Sequence, residues 1–132
     1  MEIYSIVKNS SNNKAMKLDI LAIGVHPDDI ELSCGGTLLC QIDRGKKVGI
    51  LDLTKGELGT RGTAETRLQE AEKAAEMMGV LIRKNIGLPD CFFENNKSSI
   101  LKIIEVIRCH QPEIILAMPY LIDILIMEEL LN

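Results

Sequence analysis

The sequence predicts an α/β fold: a Rossmann-like parallel sheet of about four strands with three flanking helices. Apolar runs alternate with amphipathic segments along the chain, the pattern of strands joined by crossover helices. The run Leu18 to Val25 is apolar almost throughout, as a strand buried on both faces reads. Strand and helix in this order imply right-handed crossovers. The loops that follow the strands then gather at the carboxyl edge of the sheet, where open α/β sheets bind their ligands.

Each element has its own signal. Leu18 to Val25 is the first strand. Ser33 or a neighbour is expected to cap a helix running to about Arg44, with Gly45 ending it. Val48 to Leu53 is the second strand, and the glycine- and threonine-rich stretch through Thr63 is a loop. A helix follows from Ala64 to Met78, carrying Leu68, Ala71, Ala75 and Met78 on one face and stopped by Gly79. Val80 to Ile86 is the third strand. Ser98 or Ser99 starts a helix with Ile100, Ile103, Ile104 and Ile107 as its apolar face, and Glu113 to Ala117 is the fourth strand. Residues 1–15, with Glu2 and the polar Ser10-Ser11-Asn12-Asn13-Lys14, lack the basic start and apolar centre of a secretory signal and read as a disordered extension, with Met16 as the expected start.

Composition narrows the class. At 132 residues, 46% of them hydrophobic and 26% charged, the chain has material for one core and one domain. A net charge of -4, with no Lys/Arg run and no aromatic platform, argues against a nucleic-acid surface. The apolar stretch Leu121 to Met127 is too short to span a bilayer. Cys34, Cys40, Cys91 and Cys109 form no Cys-x-x-Cys pair and no compact framework, so they read as free thiols in a reducing, cytoplasmic compartment. His110, at a helix end before Gln111-Pro112, reads as structural, a cation facing the negative end of the helix dipole.

The chemistry concentrates in Gly24-Val25-His26-Pro27-Asp28-Asp29-Ile30-Glu31, directly after the first strand. In a turn after a strand, residues three apart project to similar sides and neighbours do not, so His26 and Asp29 can converge while Asp28 points elsewhere. Pro27 restricts both itself and His26, which lowers the entropy lost in arranging the pair. A neutral imidazole and a carboxylate suit zinc, whose catalytic sites hold three protein ligands and one open position. Two ligands and one free base result, with one ligand still to be supplied. Glu31 could orient His26, as metal-bound histidines require such a partner; a solvated acid is the plain alternative. Gly35 and Gly36 could let a helix N-terminus approach a substrate anion, or serve close packing. Glu57 and Arg67 arrive at the same sheet edge from the second loop and helix; Arg67 and Arg61 could clamp a carboxylate or sugar hydroxyls, or simply lie on a solvated helix face.

The whole string Leu21 to Thr37 resembles the signature of the PIG-L/LmbE-like zinc deacetylases, which remove acetyl from N-acetylglucosamine conjugates. Thr54-Lys55-Gly56-Glu57-Leu58-Gly59-Thr60-Arg61-Gly62-Thr63, followed by Glu65 and Arg67, is similar to the family's second block. Ile86-Gly87-Leu88-Pro89-Asp90 and Phe92-Phe93-Glu94-Asn95-Asn96 resemble the bacillithiol-pathway branch, whose substrate is N-acetylglucosaminyl malate. The resemblance implies an LmbE-like fold, zinc as cofactor, His26 and Asp29 as metal ligands, Asp28 as the general base and Arg67 as a substrate-binding residue. The implied partner is a small amino-sugar conjugate, with neither nucleic acid nor membrane; homo-oligomerisation stays open. A magnesium-dependent phosphate enzyme is the rival reading of the paired aspartates, disfavoured by the histidine and by the lack of a Gly-x-x-x-x-Gly-Lys loop. A non-catalytic fragment is the other.

The resemblance covers residues 16–117, the N-terminal part of such a domain. The family closes its zinc site with a histidine from a His-Pro-Asp-His block, but Met118 to Asn132 contains no histidine. Written in permitted codons from Ala117 and regrouped by one base, the tail spells NAISDRHPDHGRAAK, which holds that block. Residues 118–132 are therefore expected to be an out-of-frame tail created by loss of one base near Ala117, leaving a chain with little or no deacetylase activity. Sequencing the gene across Ala117 is expected to reveal the block in the neighbouring frame; a nucleotide sequence without it refutes the frameshift.

Overall fold

The computed structural model describes residues 4–6, 15–119 and 121. Its elements in chain order are strands β1 (Tyr4–Ile6) and β2 (Ile20–Gly24), helix α1 (Asp29–Asp43), strand β3 (Val48–Thr54), helix α2 (Ala64–Met78), strand β4 (Ile82–Leu88), helix α3 (Lys97–His110) and strand β5 (Ile114–Ala117). The sheet order is β1-β4-β3-β2-β5. Strands β4, β3, β2 and β5 run parallel, as the crossover helices require. The four parallel strands and three helices are those expected from the sequence.

One pairing is additional. Within the 1–15 extension, Tyr4–Ile6 pairs antiparallel with β4, Tyr4 opposite Asn85 and Ile6 opposite Arg83. The rest of that extension before Ala15 lies outside the described residues, and so does most of the 118–132 tail. Of that tail, Leu121 is buried in the core, where Met118 also packs. Among the described residues, no helix is long and apolar enough to cross a membrane.

Strands β2 and β3 are buried along their whole length, so alternate residues feed two apolar layers. Leu21, Ile23, Leu51 and Leu53 pack with Ile103 and Val106 of α3. Ile20, Ala22, Val48 and Ile50 face the other way, onto Ile30 and Leu38 of α1 and, at the edge of the layer, Met78 of α2. This explains the unbroken hydrophobicity of the first run, since neither face meets water.

Boundaries moved where caps decided them. Helix α2 spans Ala64 to Met78 as expected, with the Thr63 hydroxyl accepting from the Thr66 amide and Gly79 at φ 80 closing it. Helix α3 starts earlier than expected, because Asn96 caps it by accepting from the Ser99 amide. Helix α1 also starts earlier, at Asp29 instead of near Ser33, and is broken internally at Cys34, where φ is -140 and ψ 17. The sequence signal at Ser33 thus falls on this kink and not on the helix start.

His110 is structural, but as a neutral imidazole and not as a cation at the helix end. Its Nδ1 donates to the Met16 carbonyl at 2.8 Å and its backbone carbonyl accepts from Leu18, so it ties the N-terminal segment to α3. Burial lowers its pKa, outweighing the Met16 bond that raises it, with Lys84 adding to the depression.

Between the layers of α2 and the sheet lies a buried ion cluster. The Arg83 guanidinium donates from Nε to Asp52 Oδ2 at 2.8 Å and from Nη2 to Asp52 Oδ1 at 3.1 Å, and its Nη1 pairs with Glu31 and reaches the Ala71 carbonyl at 3.2 Å. Burial pushes the Asp52 carboxyl up from 3.8 to about 6, despite the Arg83 bonds that oppose it. A carboxyl with a raised folded-state pKa holds its proton more tightly folded than unfolded, so its stabilising contribution is complete below about 3.8 and is lost as pH rises through about 6. Urea titrations between pH 4 and pH 7 are expected to show wild type losing stability relative to Asp52→Asn across that window; parallel curves refute the assignment.

Candidate metal centre

The site lies at the carboxyl edge of the sheet, where the segments after β2, β3 and β4 meet. The β2–α1 turn is shaped by Asp29, whose Oδ2 accepts from the Val25 amide at 3.1 Å and the His26 amide at 2.9 Å. Gly24 makes room for this turn, because a Cβ there would lie 3.1 Å from both Asp29 Cβ and an Ile30 side-chain carbon. The result places His26 Nδ1 at 3.7 Å from Asp29 Oδ2, too long for a hydrogen bond and somewhat wider than the roughly 3.3–3.4 Å between two donors at about 2.0–2.1 Å from one tetrahedral cation.

The other face of the imidazole is held by a residue to which the sequence reading gave no role. His26 Nε2 lies 2.8 Å from Asp90 Oδ1. Asp90 is buried, its Oδ2 accepts from the Leu58 amide at 3.1 Å, and its own amide donates to Glu57 Oε1 at 2.8 Å. Burial raises the Asp90 pKa, but the bonds from His26 and Leu58 outweigh it and hold the carboxyl below its ordinary 3.8. Asp90 is therefore ionised at neutral pH, which assigns the proton of neutral His26 to Nε2. The Nδ1 lone pair is left on the side facing Asp29. A carboxylate that fixes tautomer and ring direction in this way is the usual companion of a metal-binding histidine. The only sequence clue was Pro89-Asp90 directly after a strand.

Asp28 is engaged by Arg67. Its Oδ2 lies 3.3 Å from Arg67 Nη2, and Arg67 Nη1 donates to the Gly56 carbonyl at 3.0 Å. The glycines of the second loop accommodate this arginine. Gly56 has φ +63, and a Cβ on it would come within 2.4 Å of Arg67 Nη1; on Gly59 the corresponding distance is 2.7 Å. Gly56 is favoured by its left-handed backbone, and its lack of a side chain leaves the space that Arg67 occupies.

Glu31 does not orient His26. It pairs instead with buried Arg83 of β4. Glu57 joins the site through the Asp90 amide, while Arg61 is exposed. Gly35 is buried beneath the kink, whereas a Cβ on Gly36 would meet nothing within 4 Å, so close packing does not explain Gly36. Cys34 is half-buried and free.

The donor set fits a zinc ion in part. His26 and Asp29 place an imidazole and a carboxylate side by side, but among the described residues no group of three His, Cys, Asp or Glu side chains is arranged to hold a metal. A third protein donor is needed for a catalytic zinc.

A family profile described as PIG-L, GlcNAc-PI de-N-acetylase, matches residues 21–123. The chain is 41% identical over 70 residues, 53% of its length, to a protein of Escherichia coli K12 named uncharacterized deacetylase YaiS, of which this covers 36%. It is 33% identical over 104 residues, 74% of its length, to the diacetylchitobiose deacetylase of Thermococcus kodakarensis, of which this covers 39%. Among solved structures it is similar to the conserved protein TT1542 from Thermus thermophilus, with 41% identity, a TM-score of 0.71 and coverage of 74% of this chain and 45% of that one. The chain thus spans less than half the length of each of these relatives.

Asp90→Ala is expected to release the His26 ring. In wild type, nitrogen chemical shifts should report a protonated Nε2 and an unprotonated Nδ1, and the variant should show a mixture of tautomers; a single unchanged tautomer in Asp90→Ala refutes the role given to this carboxylate.

Proposed function

The chain belongs to the PIG-L family, and from that premise we propose that it carries the first half of a zinc-dependent deacetylase centre for an N-acetylglucosamine conjugate, N-acetylglucosaminyl malate being the favoured substrate. The observation that carries this reading is the pairing of His26 Nδ1 with Asp29 Oδ2 at 3.7 Å while Asp90 occupies His26 Nε2. That arrangement supports His26 and Asp29 as ligands of one cation and leaves Asp28 outside the ligand set. The malate conjugate rests on the likeness of the Ile86-Gly87-Leu88-Pro89-Asp90 and Phe92-Phe93-Glu94-Asn95-Asn96 segments to the bacillithiol branch.

Zinc bound there would lower the pKa of a water and polarise the acetyl carbonyl. The remaining steps belong to the chain's own groups. Asp28 accepts the proton of the attacking water and delivers it to the leaving amine. Arg67, held against Gly56 and beside Asp28, keeps that carboxylate aimed and turns its remaining N–H groups to substrate oxygens. The buried Asp90 keeps the imidazole from rotating. An acid and an amine are the products, and no redox cofactor is called for.

With two donors from His26 and Asp29 and no third among the described residues, zinc is held weakly and turnover by this chain alone is slight. Calorimetric titration is expected to give weak zinc binding that His26→Ala and Asp29→Ala each abolish and Asp28→Asn leaves intact. Amine release from N-acetylglucosaminyl malate is expected to stay near background. Tight one-to-one binding with turnover would overturn the inactivity, and binding indifferent to His26→Ala and Asp29→Ala would overturn the site.

A further inference from the structure

The first turn of α1 is positioned from outside the helix. At its start, the Asp28 side chain makes no cap. At Cys34 the backbone leaves helical geometry, so the turn Asp29–Ser33 is separated by a kink from the stretch that packs Leu38 into the core. Ile30 of this turn packs into the same core layer as Leu38, and the Asp29 carboxylate ties the turn to the Val25 and His26 amides.

Arg83 reaches the turn as well. Its Nη1 pairs with Glu31 Oε1, two residues after Asp29. The same guanidinium, with its side chain only 2% exposed, grips both oxygens of Asp52 in β3 and donates to the carbonyl of Ala71 in α2. Ala71 stands about one helical turn beyond Arg67. One planar cation is thus bonded to the turn carrying Asp29, to the central strand and to the helix carrying Arg67. Its rigid fork is suited to this: a lysine has one nitrogen and cannot span the Asp52 carboxylate, Glu31 and Ala71 together.

We propose that Arg83 is a positioning residue: acting through Glu31 and Ala71, it sets the first turn of α1 against α2 and so holds Asp28 beside Arg67 and His26 beside Asp29. The inference rests on the functional reading above in taking those residues as the site. A purely structural cluster would influence the stability of the fold and leave the site's geometry alone, and the two differ in what Glu31→Gln does. That variant keeps the two Arg83–Asp52 bonds and the Ala71 bond, so the central tie of the cluster survives while the hold on the first turn weakens.

The experiment compares full-length wild type, Glu31→Gln and Arg83→Lys by three readouts: urea unfolding, zinc calorimetry, and metal-free NMR signals of the Asp28 and Asp29 amides and the Arg67 Nε–H. Glu31→Gln is expected to unfold close to the wild-type midpoint, to shift all three NMR signals and to bind zinc about tenfold more weakly, the loss typical when a partner supporting a metal site is removed. Arg83→Lys is expected to show the same shifts and the same loss; if it does not fold, Glu31→Gln alone decides. Unchanged NMR signals and unchanged zinc affinity in Glu31→Gln overturn the proposal. Failure of wild type itself to bind zinc would sink the functional reading instead, and the metal-free NMR comparison would still support or refute the role of Arg83.

Discussion

One buried carboxylate knots the carboxyl edge of this sheet together. Asp90 follows β4, yet its oxygens are engaged by the His26 imidazole from the β2–α1 turn and by the Leu58 amide from the loop after β3, while its own amide is held by Glu57. Three loops that share no local sequence are thereby brought to one point. Because the carboxylate is paired on both oxygens, its burial is tolerable and its charge is retained. Retained charge is what assigns the proton on His26, and the proton on Nε2 is what leaves Nδ1 available toward Asp29.

The electrostatic design separates the acids into distinct jobs by their surroundings. Asp29 is consumed partly by backbone amides, which shape the turn, and faces the imidazole with the same oxygen. Asp28, the neighbouring residue, is half exposed and beside Arg67. Asp52 is buried with Arg83, where desolvation raises its pKa even though it is bonded to a cation. A buried ion pair of this kind contributes little net stability compared with apolar packing, but removing one partner is costly. Its presence is better explained by the orientation it imposes on α1 and α2 than by stability.

The glycines of the second loop serve the same geometry. Gly56 and Gly59 leave the space that the Arg67 guanidinium fills, and Gly56 accepts from it through its carbonyl. The loop and helix α2 thus act as a single unit, with Thr63 capping the helix between them. The relation to the PIG-L family gives this arrangement a chemical setting, and the chain spans less than half the length of the relatives it matches.

The sequence by itself determined the parallel α/β architecture, because strands buried on both faces, as β2 and β3 are, read as mostly apolar runs and not as alternating ones. It also placed His26 and Asp29 close together in the turn after the first strand, because that proximity is set within four residues of backbone. Helix α2 was legible to the residue, since Thr63 and Gly79 stop it by local bonds. Only the tertiary structure decided the partners across loops: Asp90 against His26, Arg67 against Asp28, and Arg83 against Glu31, separated by 64, 39 and 52 positions in the chain. No periodicity records such distances, because they are set by which strands lie side by side and in what register. The start of α1 was likewise misplaced, as the Cys34 kink and the Asp29 turn replace the side-chain cap that a local reading expects at Ser33.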